Sequence, residues 1–325
     1  MSIDDLFIDA RRLWPGETVW DGAIAFVDLD RTADGPDVLA LPPCPVIGIG
    51  DPAHPLGPML DAVVQPPVGA GLLARQVLAT PRAAAITVQL LRLLPSLPEG
   101  LGLTAESLAY AVLQGSEEHT RWRAANARAC DRSEGRVAVT REDARLTITL
   151  DHPESGNAMD RAMRDRLCEA FTLAALDTGI TRIVLRANGR VFSLGAELSE
   201  FGITTDPASA HAIRARTLPA HAAARCADRL EARVQGACVG AGLELAAWAR
   251  RITALPNAWF QLPELAMGIL PGAGGCVALT RRIGRQRAAL MILSGKRLSA
   301  RQALGWGLVD AVVDEPARHE SRAHG

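Results

Sequence analysis

Gly240-Ala241-Gly242-Leu243-Glu244 and, about twenty residues on, Pro263-Glu264 with Pro271-Gly272-Ala273-Gly274-Gly275 decide how this chain is read. Each joins small residues, which leave the backbone bare, to a carboxylate in an apolar neighbourhood. Bare amide N–H groups stabilise an anion and a carboxylate moves a proton, so a site that needs both should look like this. Each piece also has a bland reading. Glycines let a helix pack close to a strand, a glutamate in a first helical turn is a dipole partner, and a glutamate after proline can be an exposed turn acid. Joint placement with Phe192-Ser193-Leu194-Gly195-Ala196-Glu197-Leu198 favours a shared site.

Working outward, strand and helix periodicities alternate. Val137–Val139 and Leu146–Leu150 flank a turn at Arg141-Glu142-Asp143 and predict a hairpin. An amphipathic helix is predicted over Met159–Leu176, a buried strand over Ile180–Leu185 and one long helix over Ala208–Arg229. Ala232–Val239 reads as a strand and Gly240–Arg250 as a helix. This alternation predicts an α/β layered fold with much parallel pairing. In the first half, residues 1–69 are rich in Pro, Gly and Asp, with Val46-Ile47-Gly48-Ile49 a candidate strand. Helices are predicted over Leu72–Thr80 and Ala83–Leu94. After a turn at Pro95–Gly102, Thr104-Ala105-Glu106-Ser107 caps a third, with a face of Leu108, Val112 and Leu113. The polar stretch Asp131–Gly135 is a plausible linker between an N-terminal region, 1–133, and a second region, 134–325. One echo joins the two: Leu60-Asp61-Ala62-Val63-Val64 against Val309-Asp310-Ala311-Val312-Val313.

Composition narrows the function classes. With 48% hydrophobic and 22% charged residues, the 325-residue chain has the make-up of a globular protein with a sizeable core. A net charge of -1 predicts no nucleic-acid and no membrane partner. The charge is uneven: residues 1–133 carry -6 and the remainder +5, which suits either an anionic ligand or docking of the halves. Lys296 and Tyr110 are the only residues of their kinds, which weighs against Schiff-base or tyrosyl chemistry. The six cysteines include no C-x-x-C pair and the seven histidines no metal-binding spacing, so no zinc or other metal is expected. The start, Met1-Ser2-Ile3-Asp4-Asp5, is acidic where a signal peptide would be basic, and no apolar run of about 18 residues occurs. The expectation is a cytoplasmic protein with reduced thiols. His152, His211 and His221 are expected at the surface and the tryptophans in the core.

Residues 137–314 resemble the core of the crotonase superfamily, that of enoyl-CoA hydratases and isomerases. His152-Pro153-Glu154-Ser155-Gly156-Asn157-Ala158-Met159 is similar to the family's first CoA-contacting turn, with Ala158 in it. Phe192–Leu198 resembles the loop that supplies the first oxyanion-hole amide. Val239–Glu244 resembles the helix start with the second amide and first carboxylate, and Phe260–Glu264 with Pro271–Gly275 the second carboxylate and the turn behind it. Leu298-Ser299-Ala300, Ala303 and Gly307-Leu308-Val309 match the closing helix and strand. The resemblance implies a crotonase-like (ClpP/crotonase) ββα spiral core, with the Leu194 and Ala241 amides as the oxyanion hole and Glu244 and Glu264 as acid and base. It places Ala158, Ala196, Glu197, Leu198, Gly240, Pro263 and Gly272 at the substrate. Leu194 and Ala241 depart from the usual Ala and Gly, so Leu194 is expected to narrow the acyl pocket; Glu197 stands where Asp is usual. Keeping both glutamates tilts toward hydration of a 2-enoyl-CoA, since isomerases of the family commonly manage with one. CoA would arrive as part of the acyl-CoA thioester substrate, with no other cofactor, and a homo-oligomer, trimer or hexamer, is implied. The rivals are isomerisation, thioester hydrolysis, decarboxylation or retro-aldol cleavage on the same scaffold, and a non-catalytic acyl-CoA-binding subunit.

A crotonase core usually continues into about three helices that cover the active site and build a trimer. Here the matching stretch lies at the front: Val63-Val64-Gln65-Pro66-Pro67, Leu72–Thr80, Pro81–Leu94 and Thr104–Arg123, with Glu106-Ser107-Leu108-Ala109-Tyr110 and Trp122 fitting well. A rearranged or partly duplicated crotonase is expected, its first half supplying the helices its second half lacks, from the same chain or a neighbour.

Overall fold

Parallel pairing organises the second half of the chain. The structure, a computed structural model, describes residues 2–17, 20–33, 35–126 and 133–314. The first half gives β1 (Ala25–Asp28), β2 (Val46–Ile49), β3 (Ala62–Val63), α1 (Ala70–Ala79), α2 (Pro81–Leu93), α3 (Glu99–Gln114) and α4 (Glu117–Ala125). The second opens with β4 (Val137–Glu142), β5 (Arg145–Leu150), α5 (Arg161–Leu176), β6 (Arg182–Ala187), α6 (Pro207–Thr217) and α7 (Pro219–Arg225). It continues through β7 (Leu230–Val234), β8 (Ala237–Val239), α8 (Ala241–Ala246), β9 (Arg251–Ala254) and β10 (Trp259–Gln261). It closes with α9 (Gly275–Ile283), α10 (Arg285–Ser294), β11 (Leu298–Ser299), α11 (Ala300–Gly305) and β12 (Ala311–Val312). A six-stranded sheet runs β12-β9-β7-β6-β5-β4, parallel except for the β4–β5 hairpin, and a smaller sheet runs β11-β10-β8. The expected hairpin forms, with Arg141 and Glu142 inside β4 and the turn beginning at Asp143.

Several elements differ from their sequence reading, among them the helix expected over 240–250, which ends at Ala246. The helix over 208–229 breaks at Leu218, which is extended because the following proline disfavours the helical conformation before it. The strand over 232–239 splits at Gly236, whose φ of 57° carries the chain from the large sheet to the small one. A side chain there would begin 2.3 Å from the Arg190 carbonyl. The third helix starts at Glu99 rather than at Thr104, whose hydroxyl donates to the Gly100 carbonyl inside the helix. Of its expected face Leu113 is buried but Leu108 and Val112 are exposed, while Leu103, Glu106 and Ser107 are buried.

The first half packs onto the second in the same chain. One hydrophobic core runs from Leu6 and Phe26 through Leu73, Val88 and Leu103 to Phe260, Leu290 and Val309. Helices α1 and α2 lie on α10, and α3 lies between α9 and α6. The expected linker falls partly on residues 131–132, outside the described residues.

The sequence echo is a structural one. Asp61 N–H donates to the Val46 carbonyl at 3.0 Å while its carboxylate accepts from the Val46 amide at 2.9 Å. Asp310 treats Ile252 identically, at 2.9 and 2.6 Å. β3 therefore stands to β2 as β12 stands to β9, and β1-β2-β3 repeats β7-β9-β12 in order and direction. After the first copy the chain runs directly into α1–α4. The two aspartates differ in surroundings: Asp61 is buried and pairs with Arg92 of α2 at 2.7 Å and Arg285 of α10 at 3.5 Å, whereas Asp310 is itself exposed and meets the largely buried Arg282. Losing one partner of a buried pair costs about 3–5 kcal/mol and of an exposed pair about 1 kcal/mol or less, and the Asp310 pair, exposed on its acidic side alone, falls between the two. Asp61→Ala should lower the thermal midpoint far more than Asp310→Ala in melts run side by side; equal shifts would show that Asp61 does not join the halves.

Candidate active site

Pairing of β8 with β10 brings the two carboxylate-bearing stretches together, because both leave adjacent parallel strands at the same end. Gly240 N–H still donates to the Gln261 carbonyl at 3.0 Å. The chain then turns through φ 48°, ψ -127° at Gly240, a conformation that requires glycine. A β-carbon at Gly240 would also stand 2.6 Å from Glu264 Oε1, so its absence makes room for the carboxylate. Ser193, in the 192–198 loop, is bridged to Cys238 along the other flank of β8. Three segments distant in sequence thus meet.

Two more carboxylate contacts complete the arrangement. Glu244 Oε2 accepts the Ala273 and Gly275 amides at 2.6 and 2.9 Å. Glu106, from α3, accepts the Gly274 amide at 2.6 Å and the Val277 amide at 3.2 Å. The Pro271–Gly275 turn is therefore held from both sides, once by each half of the chain. Glu264 Oε2 is buried without a hydrogen-bond partner. Burial pushes Glu244 up to about 7 against the pull of its two amide donors. Burial, then the Glu244 charge, pushes Glu264 and Glu106 well above the usual carboxylate range.

Glu244 and Glu264 open onto a cavity of about 490 Å³. Of the sequence-predicted residues, Ala196, Glu197, Ala241 and Gly272 line it as well. Ala158, Leu198, Gly240 and Pro263 do not; Gly240 stands behind Glu264. Leu194 requires correction as a donor. Its N–H is committed to the Gly156 carbonyl at 3.0 Å, its side chain is half exposed against Gly156, and it is not on the cavity wall. The expected narrowing of the pocket by Leu194 lapses with it. Two residues on, Met159 N–H bonds Gly195 and Glu197 N–H bonds Met159, leaving the intervening Ala196 N–H without a partner among the described residues. The Ala241 N–H, first in its helix, is likewise unpaired there.

The first half contributes wall residues to which the sequence reading gave no role: Tyr110, Gln114 and His119. Tyr110 lies over Gly272, where a β-carbon would be 2.1 Å from the ring. Glu106 carried a signal, since a carboxylate on a helix between Leu103 and Ala111 should find a partner. Arg214 of α6, also on the wall, carried none. His152, expected at the surface, is buried, with its backbone N–H bonded to Asn157 Oδ1.

A match to the family profile described as enoyl-CoA hydratase/isomerase covers residues 140–323, more than half of the chain. The chain belongs to the enoyl-CoA hydratase/isomerase family. Crotonase relatives include the 2,3-dehydroadipyl-CoA hydratase of Escherichia coli, 37% identical over 54% of this chain and 68% of that protein. The mevalonyl-coenzyme A hydratase SIDH of Beauveria bassiana is 32% identical over 52% of this chain and 64% of its own length. This chain thus spans about two thirds of the curated crotonases it matches. A solved enoyl-CoA hydratase/carnithine racemase from Magnetospirillum magneticum superposes with a TM-score of 0.51 at 29% identity, covering 56% of this chain and 70% of that one. The crotonase core is the fold of the second half.

The buried carboxylates fix a pH dependence of stability. With folded pKa values above the ordinary 4.5, they hold protons in the native state that the unfolded chain has lost. Their stabilising contribution is therefore full below pH 4.5 and declines as pH rises, over 4.5 to about 7 for Glu244, by roughly 3 kcal/mol. Thermal midpoints should fall between pH 5 and 8, and Glu106→Gln should flatten the slope. A slope unaltered in that variant would remove Glu106 from the set.

Proposed function

We propose that this crotonase hydrates a 2-enoyl-CoA. The observation that carries the reading is the pairing, on one cavity, of two buried carboxylates with two unpartnered backbone amides. The thioester oxygen lies between the Ala196 and Ala241 N–H groups. As water adds to the β-carbon, negative charge moves onto that oxygen, and each donor is worth about 3 kcal/mol in comparable sites. The Ala241 donor, at a helix start, adds a favourable dipole.

The two glutamates divide the proton work according to their surroundings. Glu244, held by two amides, is the more readily ionised and takes a proton from water as its oxygen bonds the β-carbon. Glu264, with one oxygen unpartnered and its proton held by burial, gives that proton to the α-carbon. The product is a 3-hydroxyacyl-CoA, and proton return from Glu244 to Glu264 through solvent resets the site. No metal enters the scheme, and CoA is carried by the substrate.

Glu244→Gln and Glu264→Gln should each lower kcat at least about 10²-fold in a spectrophotometric assay of enoyl-CoA loss. An isomerase would show one severe and one mild effect. Ala196→Pro and Ala241→Pro each delete a donor and should abolish turnover in folded protein, whereas Ala241→Gly should be tolerated. Leu194→Ala should leave chain-length preference as it is; a marked shift would return Leu194 to the pocket.

A further inference from the structure

Arg214 is a cation in the cavity wall that makes no ion pair among the described residues, although the Glu106 carboxyl is close enough to act on it. Its Nε donates to Ser107 Oγ at 3.1 Å, Nη1 to Gln114 Oε1 at 3.2 Å and Nη2 to the Ser107 carbonyl at 3.2 Å. All three acceptors are neutral, and among the described residues no carboxylate lies within ion-pair distance of it. A guanidinium has five N–H groups, so two remain unused. Arg214 is half buried beside Phe201, Ile203, Ile213 and Leu218, on a wall that also carries Asp160, Arg161, Arg164, Glu197 and Glu200. A charge drawn out of water into such a place is costly unless something pairs with it.

Its position relative to the chemistry is fixed by Tyr110. The guanidinium carbon stands 4.4 Å from the centre of the Tyr110 ring, and that ring lies over Gly272, next to the Ala273 amide that holds Glu244. Arg214 is therefore one aromatic ring away from the reacting carboxylates. The phosphates of an acyl-CoA are separated from the thioester by the long pantetheine arm and belong farther off. A group on the acyl chain itself is the anion within reach.

We propose that Arg214 is a specificity-determining residue that pairs with a carboxylate at the far end of the acyl chain, so that the substrate is the CoA thioester of a dicarboxylic acid. The planar fork suits a carboxylate's two oxygens, and its three existing bonds hold it in place before the ligand arrives. Such a site rejects a methyl-terminated chain because the cation would stay unpaired. The assignment rests on the cavity being an acyl-CoA site, and it adds which acyl group fits.

Binding to the full-length protein tests it without turnover. Isothermal titration compares saturated pairs of equal length: succinyl with butyryl, glutaryl with pentanoyl, adipyl with hexanoyl and suberyl with octanoyl-CoA, alongside free CoA. At one length or more the carboxylate member should bind at least about 10-fold tighter, as expected for a charge-assisted bond in a partly buried site. Arg214→Gln should bring that ratio close to one, and Arg214→Lys should keep part of it. The assignment is overturned if no length shows the preference, if folded Arg214→Gln keeps it, or if that variant weakens free CoA as much as the carboxylate ligand. Because Arg214 also ties α6 to α3, thermal melts accompany each variant; should the Gln form not fold, the wild-type series and the Lys variant decide. Failure of the hydration reading is separate: a protein that shows the preference yet turns over no enoyl-CoA sinks only that reading.

Discussion

The amides of the Pro271–Gly275 turn are the constraint on which the site depends. Glu244 accepts the amides of Ala273 and Gly275, and Glu106 accepts those of Gly274 and Val277. Donors from one short stretch therefore go to carboxylates from helices that stand far apart in sequence. Each bond that fixes the turn also fixes a carboxylate, and each carboxylate is buried because the turn covers it. Unpaired buried amides are expensive, so neither partner can be withdrawn without releasing the other. The placement of Glu244 at the cavity follows from satisfying backbone donors.

Much of this was legible in the sequence. Gly240–Glu244, Glu264 and the glycine turn announced themselves because backbone exposure and carboxylates are rare together in apolar sequence. The crotonase core followed from several such segments in order. What failed was local accounting. Leu194 and Ala196 sit on the same loop, and only the hydrogen bond from Leu194 to Gly156 shows which amide is already spent. Helical periodicity passed over Pro219, which breaks the helix locally through Leu218, and it could not see the change of sheet at Gly236, which depends on which strands pair on either side. Arg214 was invisible for a related reason. An arginine on a short helix is ordinary until its hydrogen-bond partners prove to be neutral.

The paired aspartates explain how the first half could take on its role. Asp61 and Asp310 make the same two bonds to the start of a neighbouring parallel strand, which places two chain ends in equivalent settings. From one of them the chain leads into helices α1–α4. Asp61 with Arg92 and Arg285 locks that copy to the core. Tyr110, Gln114 and His119 then enter the cavity from a segment that precedes the core in sequence.

That order has a consequence during synthesis. The bond from Gly274 to Glu106 spans 168 positions, and α3 leaves the ribosome long before α9 exists to receive it. Leu73, Val88 and Leu103 emerge before Phe260 and Leu290, with which they share the core, and stay partly uncovered until those arrive. The nascent chain must carry that exposed surface past other ribosomes and holding factors. Selection on the early helices is thus twofold, for their fit to the core and for their solubility while they wait for it.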